Sequence, residues 1–273
     1  MNFDDVVRRA LDEDLGATGD VTTVATVPAS LVGSGDLVPR VVGVVAGLPV
    51  AAAVFQIVSA GRSRVEFGAA DGAWVTPGEV LATVRGPVRD ILTSERTALN
   101  LLCHLSGIAT LTRRWVDAVA GTGAVIRDTR KTLPGLRALE KYAVRCGGGE
   151  NHRMSLSDAA LIKDNHVAAA GDVVKAFDAV RTAYPDLPIE VEVDTVAQAR
   201  EVIDAGAQLV LLDNMPPDQM REVVAYAGGR AKLEASGELT LERAREVAET
   251  GVDYLAVGAL THSAAALDIG LDM

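Results

Sequence analysis

Residues 189–214, IEVEVDTVAQAREVIDAGAQLVLLDN, contain the pattern that decides the fold. Short apolar runs rich in Val, Leu and Ile lie at 189–194 and 209–214. Between them, residues 196–206 have the periodicity of an amphipathic helix. A strand, a helix and a second strand in this order predict one βα unit of a parallel sheet.

The same pattern recurs along the C-terminal part of the chain. Further apolar runs lie at 124–129, 159–164, 231–236 and 254–259. Nearly continuous apolar strands separated by helical stretches are typical of a parallel sheet that is covered on both faces. We therefore predict an incomplete TIM-like α/β barrel over residues 111–273. A doubly wound open sheet is the alternative, but no Gly-x-Gly-x-x-Gly motif follows the first strand, as a dinucleotide site would require.

The first part of the chain, residues 1–110, mixes shorter elements and predicts a separate α/β sandwich-like domain. Residues 1–15 have the periodicity of an amphipathic helix. The segments at 37–46 and 64–67 are typical of strands, and 71–87 alternates around two turn signals as a β-hairpin does.

A long helix is predicted from Ser94, as its N-cap, to about Ala120. Arg96, Asn100 and His104 are four residues apart, so they share one polar edge of this helix. The apolar stripe beside that edge consists of Leu99, Leu102, Leu105 and Ala109.

Composition and charge restrict the class of function. The chain is 49% hydrophobic and 23% charged, which is typical of a globular protein. It has no apolar run of about 18 residues and no signal-peptide pattern, so we expect a soluble cytoplasmic protein without a membrane partner. The net charge of -11 argues against a nucleic-acid partner. Cys103 and Cys146 lack metal-binding spacing and are expected to be free thiols.

Positive charge is nevertheless concentrated in one region. Residues 127–163 contain eight basic and four acidic side chains within an acidic protein. A local cationic field of this kind attracts small anions. Basic residues on solvated helix faces are the alternative, and Arg137 and Lys141 are expected to be of that type.

Polar residues stand where the predicted strands end, and in a parallel barrel these ends meet in one mouth. They are Arg130, Lys131, Lys163, Glu192, Asp194, Asp213, Ser236 and Gly258. The loop before Lys163 adds His152 and Arg153. This mixture suits a polyanionic substrate bound with Mg²⁺, for which Glu192 and Asp213 are the candidate ligands. In the alternative interpretation, the two carboxylates form structural salt bridges with Lys163 or Arg153.

Small residues end the last two strands. Ser236-Gly237 and Gly258-Ala259 offer backbone N–H groups just before helices. Phosphate sites of barrels are often built from such groups. Tight turns without a ligand are the alternative.

Several longer strings of the sequence are distinctive. They are EDLGATGDVTT (13–23), SERTALNLLCHLSGIAT (94–110), DTRKTLPGLRALEKYAVRCGGGENHR (128–153), LIKDNH (161–166), EVEVDT (190–195), LLDNM (211–215) and DYLAVGALTHS (253–263). Together these strings closely resemble those of one family, quinolinate phosphoribosyltransferase. The resemblance covers nearly the whole chain and implies the two-domain architecture given above. One departure is Glu238, which stands where the family commonly has a second glycine after Ser236.

The resemblance implies a magnesium-dependent pentosyltransferase of de novo NAD biosynthesis. Its substrates would be quinolinate and phosphoribosyl pyrophosphate, and its products nicotinate mononucleotide, pyrophosphate and carbon dioxide. It also implies a homodimer or larger homo-oligomer in which Arg96 enters the neighbouring subunit's site.

The resemblance further assigns roles to individual residues. Quinolinate would be held by Arg96, Arg130, His152, Arg153 and Lys163. Phosphoribosyl pyrophosphate would be held by Lys131, Glu192, Asp213, Ser236, Gly237, Gly258 and Ala259. The catalytic set would be Lys131, Lys163, Glu192 and Asp213. The resemblance does not assign the residue that protonates the ring carbon, and Lys163 is our own candidate for it.

Three other functions fit parts of the sequence. A related phosphoribosyltransferase-like protein of molybdate-transport operons would share the barrel but act on another substrate. A TIM-barrel lyase would use Lys163 to form a Schiff base. A non-catalytic anion-binding homologue is disfavoured because every charged position of the site is occupied.

Overall fold

The structure, a computed structural model, describes residues 3–273. Its strands are β1 (Val32–Pro39), β2 (Gly43–Val44), β3 (Arg64–Phe67), β4 (Trp74–Val75), β5 (Ala82–Pro87), β6 (Val125–Arg127), β7 (Ala160–Ile162), β8 (Ile189–Val193), β9 (Leu209–Asp213), β10 (Lys232–Ser236), β11 (Tyr254–Ala256) and β12 (Ile269–Asp272). Its α-helices are α1 (Asp4–Leu15), α2 (Val21–Thr26), α3 (Leu48–Val58), α4 (Val88–Ala118), α5 (Arg137–Cys146), α6 (Asp164–Ala170), α7 (Val173–Ala183), α8 (Val196–Asp204), α9 (Pro217–Ala227), α10 (Ala244–Ala248) and α11 (Ala259–His262). A 3₁₀ turn at Leu241–Arg243 precedes α10. No helix within residues 3–273 is both long and apolar enough to cross a membrane.

The chain divides into two compact units. The first contains residues up to 113 together with 132–148 and 260–273, and the second contains 114–131 and 149–259. The division after residue 110 stays a prediction of the sequence. The helix predicted at 1–15 is present from Asp4, and its first two residues lie outside the described part of the chain.

The first unit contains an antiparallel sheet with the strand order β12-β1-β5-β3 and a separate pair formed by β2 and β4. The β-hairpin predicted at 71–87 is wrong, because its two strands belong to different sheets. After the turn, the backbone N–H of Gly78 donates to Pro39 and that of Leu81 to Leu37. These bonds join the second strand to β1 instead of β4. The strand predicted at 37–46 is likewise divided between β1 and β2.

Helix α4 begins six residues earlier than predicted, at Val88. Ser94 is therefore not its N-cap; its hydroxyl donates to the carbonyl of Asp90 at 2.7 Å, inside the helix. The two predicted faces are confirmed. Arg96 and Asn100 are exposed, whereas the apolar stripe is buried at Leu99, Leu102, Leu105 and Ala109.

Helix α5 overturns the expectation for Lys141, whose side chain is fully buried. Glu140 beside it is also fully buried and lies 2.9 Å from Nε2 of His104. Leu139 and Val144 of the same helix are buried too. Because consecutive positions are buried, α5 is covered on more than one face, and helical spacing alone does not predict which charged residue meets solvent.

The second unit confirms the incomplete barrel. Its six strands are parallel and follow the order β6-β11-β10-β9-β8-β7. Val191, Val193, Val210 and Leu212 are at most 2% exposed. Burial of each such side chain contributes about 1.5–3 kcal/mol to stability.

The β8–α8–β9 unit shows how the sequence sets the helix ends. The Thr195 hydroxyl accepts the backbone N–H of Gln198 and caps α8. Such a cap stabilises a helix by about 0.5–2 kcal/mol. Gly206 follows the helix with φ of 96°, a conformation that glycine adopts without strain, and this turn directs the chain back into β9.

The alternation of side chains along β8 places charge inside the barrel. Val191 and Val193 share one face of the strand, and Glu190 and Glu192 share the other. Glu190 is 3% exposed, whereas Glu192, nearer the strand's C-terminal end, lines a cavity. One strand therefore supplies carboxylates at two depths.

Candidate active site

A cavity of about 580 Å³ opens at the C-terminal ends of the parallel strands in the second unit. Its polar and charged lining comes from different strands and loops, and consists of Thr129, Arg130, Lys131, His152, Arg153, Lys163, Glu192, Asp213, Asn214, Glu234, Ser236 and Glu238, with Gly237 beside them. The volume is large enough for a small-molecule substrate. The mouth expected from the strand ends is therefore present.

Most of the sequence-predicted site residues line this cavity, namely Arg130, Lys131, His152, Arg153, Lys163, Glu192, Asp213, Ser236 and Gly237. Three do not. Arg96 lies on the exposed edge of α4. Gly258 and Ala259 are half-buried where β11 leads into α11, and Ala256 of that strand lines the cavity instead. The ligand roles of all these residues stay predictions.

Lys163 and Glu192 form an ion pair across the strand ends. The Nζ atom of Lys163 lies 2.9 Å from Oε2 of Glu192. The lysine side chain is 47% exposed and the carboxylate 16% exposed. The salt bridge of the alternative interpretation is thus present, and its exposed ammonium group is also accessible to an anion in the cavity.

Arg130 and Arg153 supply like charges to the same cavity. Partial burial and the positive charge of Arg130 lower the pKa of Arg153 below the usual value of a guanidinium. Nη1 of Arg153 donates to the carbonyl of Ala159 at 2.9 Å, which fixes the direction of the side chain. Because like charges repel, an anion bound between the two arginines would be stabilised by both.

Both ring nitrogens of His152 have partners. Nε2 lies 2.6 Å from the Glu190 carboxylate, and Nδ1 accepts the backbone N–H of Arg153 at 2.8 Å. Burial disfavours the imidazolium, but the hydrogen bond to Glu190 and the charges of Glu190 and Glu234 outweigh it, so the pKa of His152 is raised. The His152 backbone N–H donates to the fully buried Asp128, which holds the loop in place.

Below His152 lies a second carboxylate, Glu234, which is fully buried. Its Oε1 is 3.5 Å from Nε2 of His152, and its Oε2 is 3.1 Å from Nη1 of Arg127. The Arg127 guanidinium in turn stacks 3.3 Å from the ring centroid of Tyr254. Burial, and then the charge of Glu190, raise the pKa of Glu234 to about 7.

His152, Glu190 and Glu234 have a donor set that can in principle hold a metal ion. The His152–Glu190 hydrogen bond and the Arg127–Glu234 ion pair already use much of this donor set. The cluster therefore acts as a hydrogen-bonded floor beneath the cavity.

Sequence reasoning missed the two buried glutamates of this floor. The signal for them was the period of two along each strand: Glu190 precedes Glu192 by two residues, and Glu234 precedes Ser236 by two. A strand-end residue that points into a barrel implies that the residue two positions earlier does so as well.

Family models match both parts of the chain. The quinolinate phosphoribosyl transferase N-terminal domain matches residues 20–106, and the C-terminal domain of the same family matches residues 108–272. The chain belongs to the quinolinate phosphoribosyl transferase family. The second match contains every residue that lines the cavity.

Individual relatives agree with this family. The chain is 57% identical to the nicotinate-nucleotide pyrophosphorylase (carboxylating) of Mycobacterium leprae, over 98% of this chain and 96% of the relative. It is 42% identical to the probable enzyme of the same name from Bacillus subtilis, over 96% and 90%. The crystal structure of the nicotinate-nucleotide pyrophosphorylase from Ehrlichia chaffeensis superposes with a TM-score of 0.95 at 37% identity, covering 100% of this chain and 98% of that one.

Proposed function

We propose that this protein is a quinolinate phosphoribosyltransferase, the carboxylating nicotinate-nucleotide pyrophosphorylase of de novo NAD biosynthesis. It transfers the phosphoribosyl group of phosphoribosyl pyrophosphate to quinolinate, with decarboxylation, to give nicotinate mononucleotide, pyrophosphate and carbon dioxide. The observation that carries the proposal is one cavity that combines cationic side chains with two acidic strand ends, Glu192 and Asp213. Membership of the family, whose two domain models match residues 20–106 and 108–272, supports it.

Quinolinate needs two carboxylate sites close together. Arg130 and Arg153 can bind carboxylates through paired N–H groups, and Lys163 supplies a compact charge. In this proposal His152 lines the cavity beside Arg153 and accepts the Arg153 backbone N–H at its Nδ1, which orients the loop that carries Arg153. These anchors hold the pyridine nitrogen toward the ribose carbon, and such positioning can contribute much of the rate enhancement.

The second substrate would occupy the other side of the cavity. Lys131 would contact the pyrophosphate, and Glu192 and Asp213 the ribose hydroxyls. The 5′-phosphate would be held by Ser236 and Gly237 together with the Gly258-Ala259 turn. Ser236 and Gly237 stand at the C-terminal end of β10, and Gly258 and Ala259 follow β11; barrel phosphate sites commonly form at these strand ends.

The carboxylates also fit Mg²⁺. Mg²⁺ is commonly bound by one or two carboxylates and substrate phosphates while it keeps several waters. Glu192 and Asp213 provide this oxygen donor set beside one cavity. When bound, the ion would neutralise charge that accumulates on the leaving pyrophosphate.

The chemistry proceeds in two steps. The nitrogen lone pair of quinolinate forms a bond to the anomeric ribose carbon, and the bond from that carbon to pyrophosphate breaks. Positive charge that builds on the sugar is stabilised by nearby carboxylates. No general base is needed, because the pyridine nitrogen carries no proton.

In the second step, the bond between the ring carbon and its 2-carboxylate breaks and releases carbon dioxide. The electron pair stays on the carbon next to the quaternised nitrogen, whose positive charge stabilises it. A proton then adds to that carbon. Lys163 is the proposed donor, because its side chain lines the cavity and its Nζ atom lies 2.9 Å from Oε2 of Glu192.

The site would be completed by a second subunit. Arg96 is exposed on α4 and would enter the site of a neighbouring copy in a homodimer or larger oligomer. The cytoplasmic location expected from the sequence stays a prediction.

A product assay tests the function. Purified protein with Mg²⁺ and phosphoribosyl pyrophosphate is incubated with quinolinate or, in parallel, with nicotinate. Nicotinate mononucleotide from quinolinate alone is the expected result. No product from quinolinate in folded protein would overturn the proposal and favour the phosphoribosyltransferase-like relatives of transport operons. Borohydride trapping of a carbonyl substrate on Lys163 would favour the Schiff-base lyase.

A further inference from the structure

Asn214 has an unusual backbone conformation at the edge of the cavity. It follows Asp213, the last residue of β9, and its φ is 53°. Within residues 3–273, Ala60 is the one other non-glycine residue with a positive φ. The Asn214 backbone N–H donates to the Ser236 carbonyl at 3.0 Å and so joins the ends of β9 and β10. Residues held in this conformation cluster at functional sites.

The side chain of Asn214 connects two parts of the proposed site. Nδ2 donates to Oδ2 of Asp213 at 2.8 Å. Oδ1 accepts the backbone N–H of Glu238 at 3.1 Å. The amide can do both, because it carries an N–H donor for the carboxylate and an oxygen acceptor for the N–H. The side chain therefore links a carboxylate of β9 to the loop after β10.

The loop is packed closely against this amide. Gly237 has φ of 119°, and a Cβ atom added there would lie 2.2 Å from Oδ1 of Asn214. A side chain at 237 would therefore displace either the loop or the amide. The conformation of the loop and the position of Asn214 depend on each other.

We propose that Asn214 is a positioning residue that couples the Asp213 carboxylate to the 236–238 phosphate loop. The hydrogen bond from its Nδ2 to Asp213 sets the plane of that carboxylate, which is the proposed ligand of the metal and the ribose. Its second hydrogen bond holds the N–H groups of the loop on the 5′-phosphate side. This inference rests on the proposed function, because that function assigns Asp213 and the loop to phosphoribosyl pyrophosphate.

Two variants separate the backbone from the side chain. Asn214→Gly keeps the positive φ without strain and removes both side-chain hydrogen bonds. Asn214→Asp keeps the shape and the acceptor for Glu238 but replaces the donor to Asp213 with a negative charge. Circular dichroism and thermal melting would establish that both variants fold.

The expected result is selective for one substrate. In both variants, the KM for phosphoribosyl pyrophosphate should rise about tenfold or more, as is typical when a group that orients a metal ligand is lost. The KM for quinolinate should stay within about twofold, since its anchors lie on other strands. Calorimetry should show a weaker affinity of both variants for phosphoribosyl pyrophosphate than of the parent. The decrease in affinity should be larger with Mg²⁺ than with chelator.

A double-variant cycle tests the coupling itself. If Asn214 acts through Asp213, then Asn214→Gly should cost less in an Asp213→Asn background than in the parent protein. Additive losses, equal rises in both KM values, or an unchanged KM for phosphoribosyl pyrophosphate in folded Asn214→Gly would overturn the inference. If Asp213→Asn alone leaves that KM unchanged while the parent is active, the assignment of Asp213 is wrong instead. If the parent is inactive with quinolinate, the proposed function has failed first.

Discussion

Oε2 of Glu190 lies 2.6 Å from Nε2 of His152, and this buried contact ties the floor of the barrel to the loop that carries Arg153. Because His152 also accepts the Arg153 backbone N–H, the position of a proposed substrate anchor depends on a carboxylate that does not itself line the cavity.

Replacement of Glu190 should therefore change both the histidine and substrate binding. Glu190→Gln removes the negative charge that raises the pKa of His152, so that pKa should fall. Nuclear magnetic resonance titration can follow it, since the chain has four histidines and a His152→Gln variant identifies the signal. Quinolinate binding should weaken by about tenfold, because the orientation of the loop is lost.

A matched control is Glu222→Gln, which removes an exposed carboxylate paired with Arg200. It should change neither the pKa of His152 nor quinolinate binding. A His152 titration that is the same in Glu190→Gln and the parent would contradict the described role of the contact.

Glu234 should make stability depend on pH. Its pKa is about 7 in the folded protein, against the ordinary value of 4.5. The folded state thus binds this proton more tightly than the unfolded state does. The resulting contribution to the free energy of unfolding is complete below about pH 4.5 and is lost as the pH rises through 7. His152, whose pKa is also raised, contributes in the same direction at its own pKa.

Glu234→Gln keeps a neutral side chain at every pH and should flatten this dependence. Denaturant unfolding at several pH values between 5 and 8 measures the free energy of unfolding for both proteins. The parent should lose more stability than the variant across this range. Parallel curves would show that Glu234 does not take up a proton on folding.

Arg153→Ala and Lys163→Ala should each weaken quinolinate binding and leave the fold intact. Each variant removes a charged group from the cavity, and hydrogen bonds to charged groups contribute about 1.5–3 kcal/mol, or roughly tenfold to a hundredfold in affinity. Calorimetry with quinolinate measures the loss. Lys175→Ala, which removes an exposed lysine paired with Asp172 on the same barrel unit, is the control and should bind normally. Normal affinity in folded Arg153→Ala would refute its assignment as a carboxylate anchor.

A shared site predicts complementation between two inactive proteins. Arg96→Ala lacks the residue that a neighbour would receive, and Lys131→Ala lacks a residue of its own cavity. A mixed oligomer contains some sites with both residues intact, so mixing should restore part of the activity. The measurement is turnover after co-refolding, with mixed oligomers established by differently tagged subunits. No rescue in such oligomers would argue against the donation of Arg96.

The barrel was predictable because its signals are local. Each strand from β6 to β11 lies in a short apolar run, and the parallel direction of these strands follows from the helices between them. The hairpin at 71–87 was not, because β5 pairs with β1 and β3 and not with β4, and β1 is distant in sequence. Alternation and turns identify strands but do not select among possible partners.

The cavity was predictable in its outer layer for the same reason: strand ends meet in one mouth. The buried layer was not recognised, although Glu190 and Glu234 obey the same alternation. The role proposed for Asn214 depends on its φ and on two hydrogen bonds to residues of different strands and loops. No spacing in the sequence encodes these features, since asparagine also occurs at ordinary turns.

The central claim is that phosphoribosyl transfer comes before decarboxylation in the barrel cavity, and quinolinate labelled with ¹⁴C in its 2-carboxylate tests it most directly. With the purified protein and Mg²⁺, labelled carbon dioxide should appear only when phosphoribosyl pyrophosphate is added, in equal amount to nicotinate mononucleotide and pyrophosphate. Release of labelled carbon dioxide without phosphoribosyl pyrophosphate, or no release with it, would contradict the account.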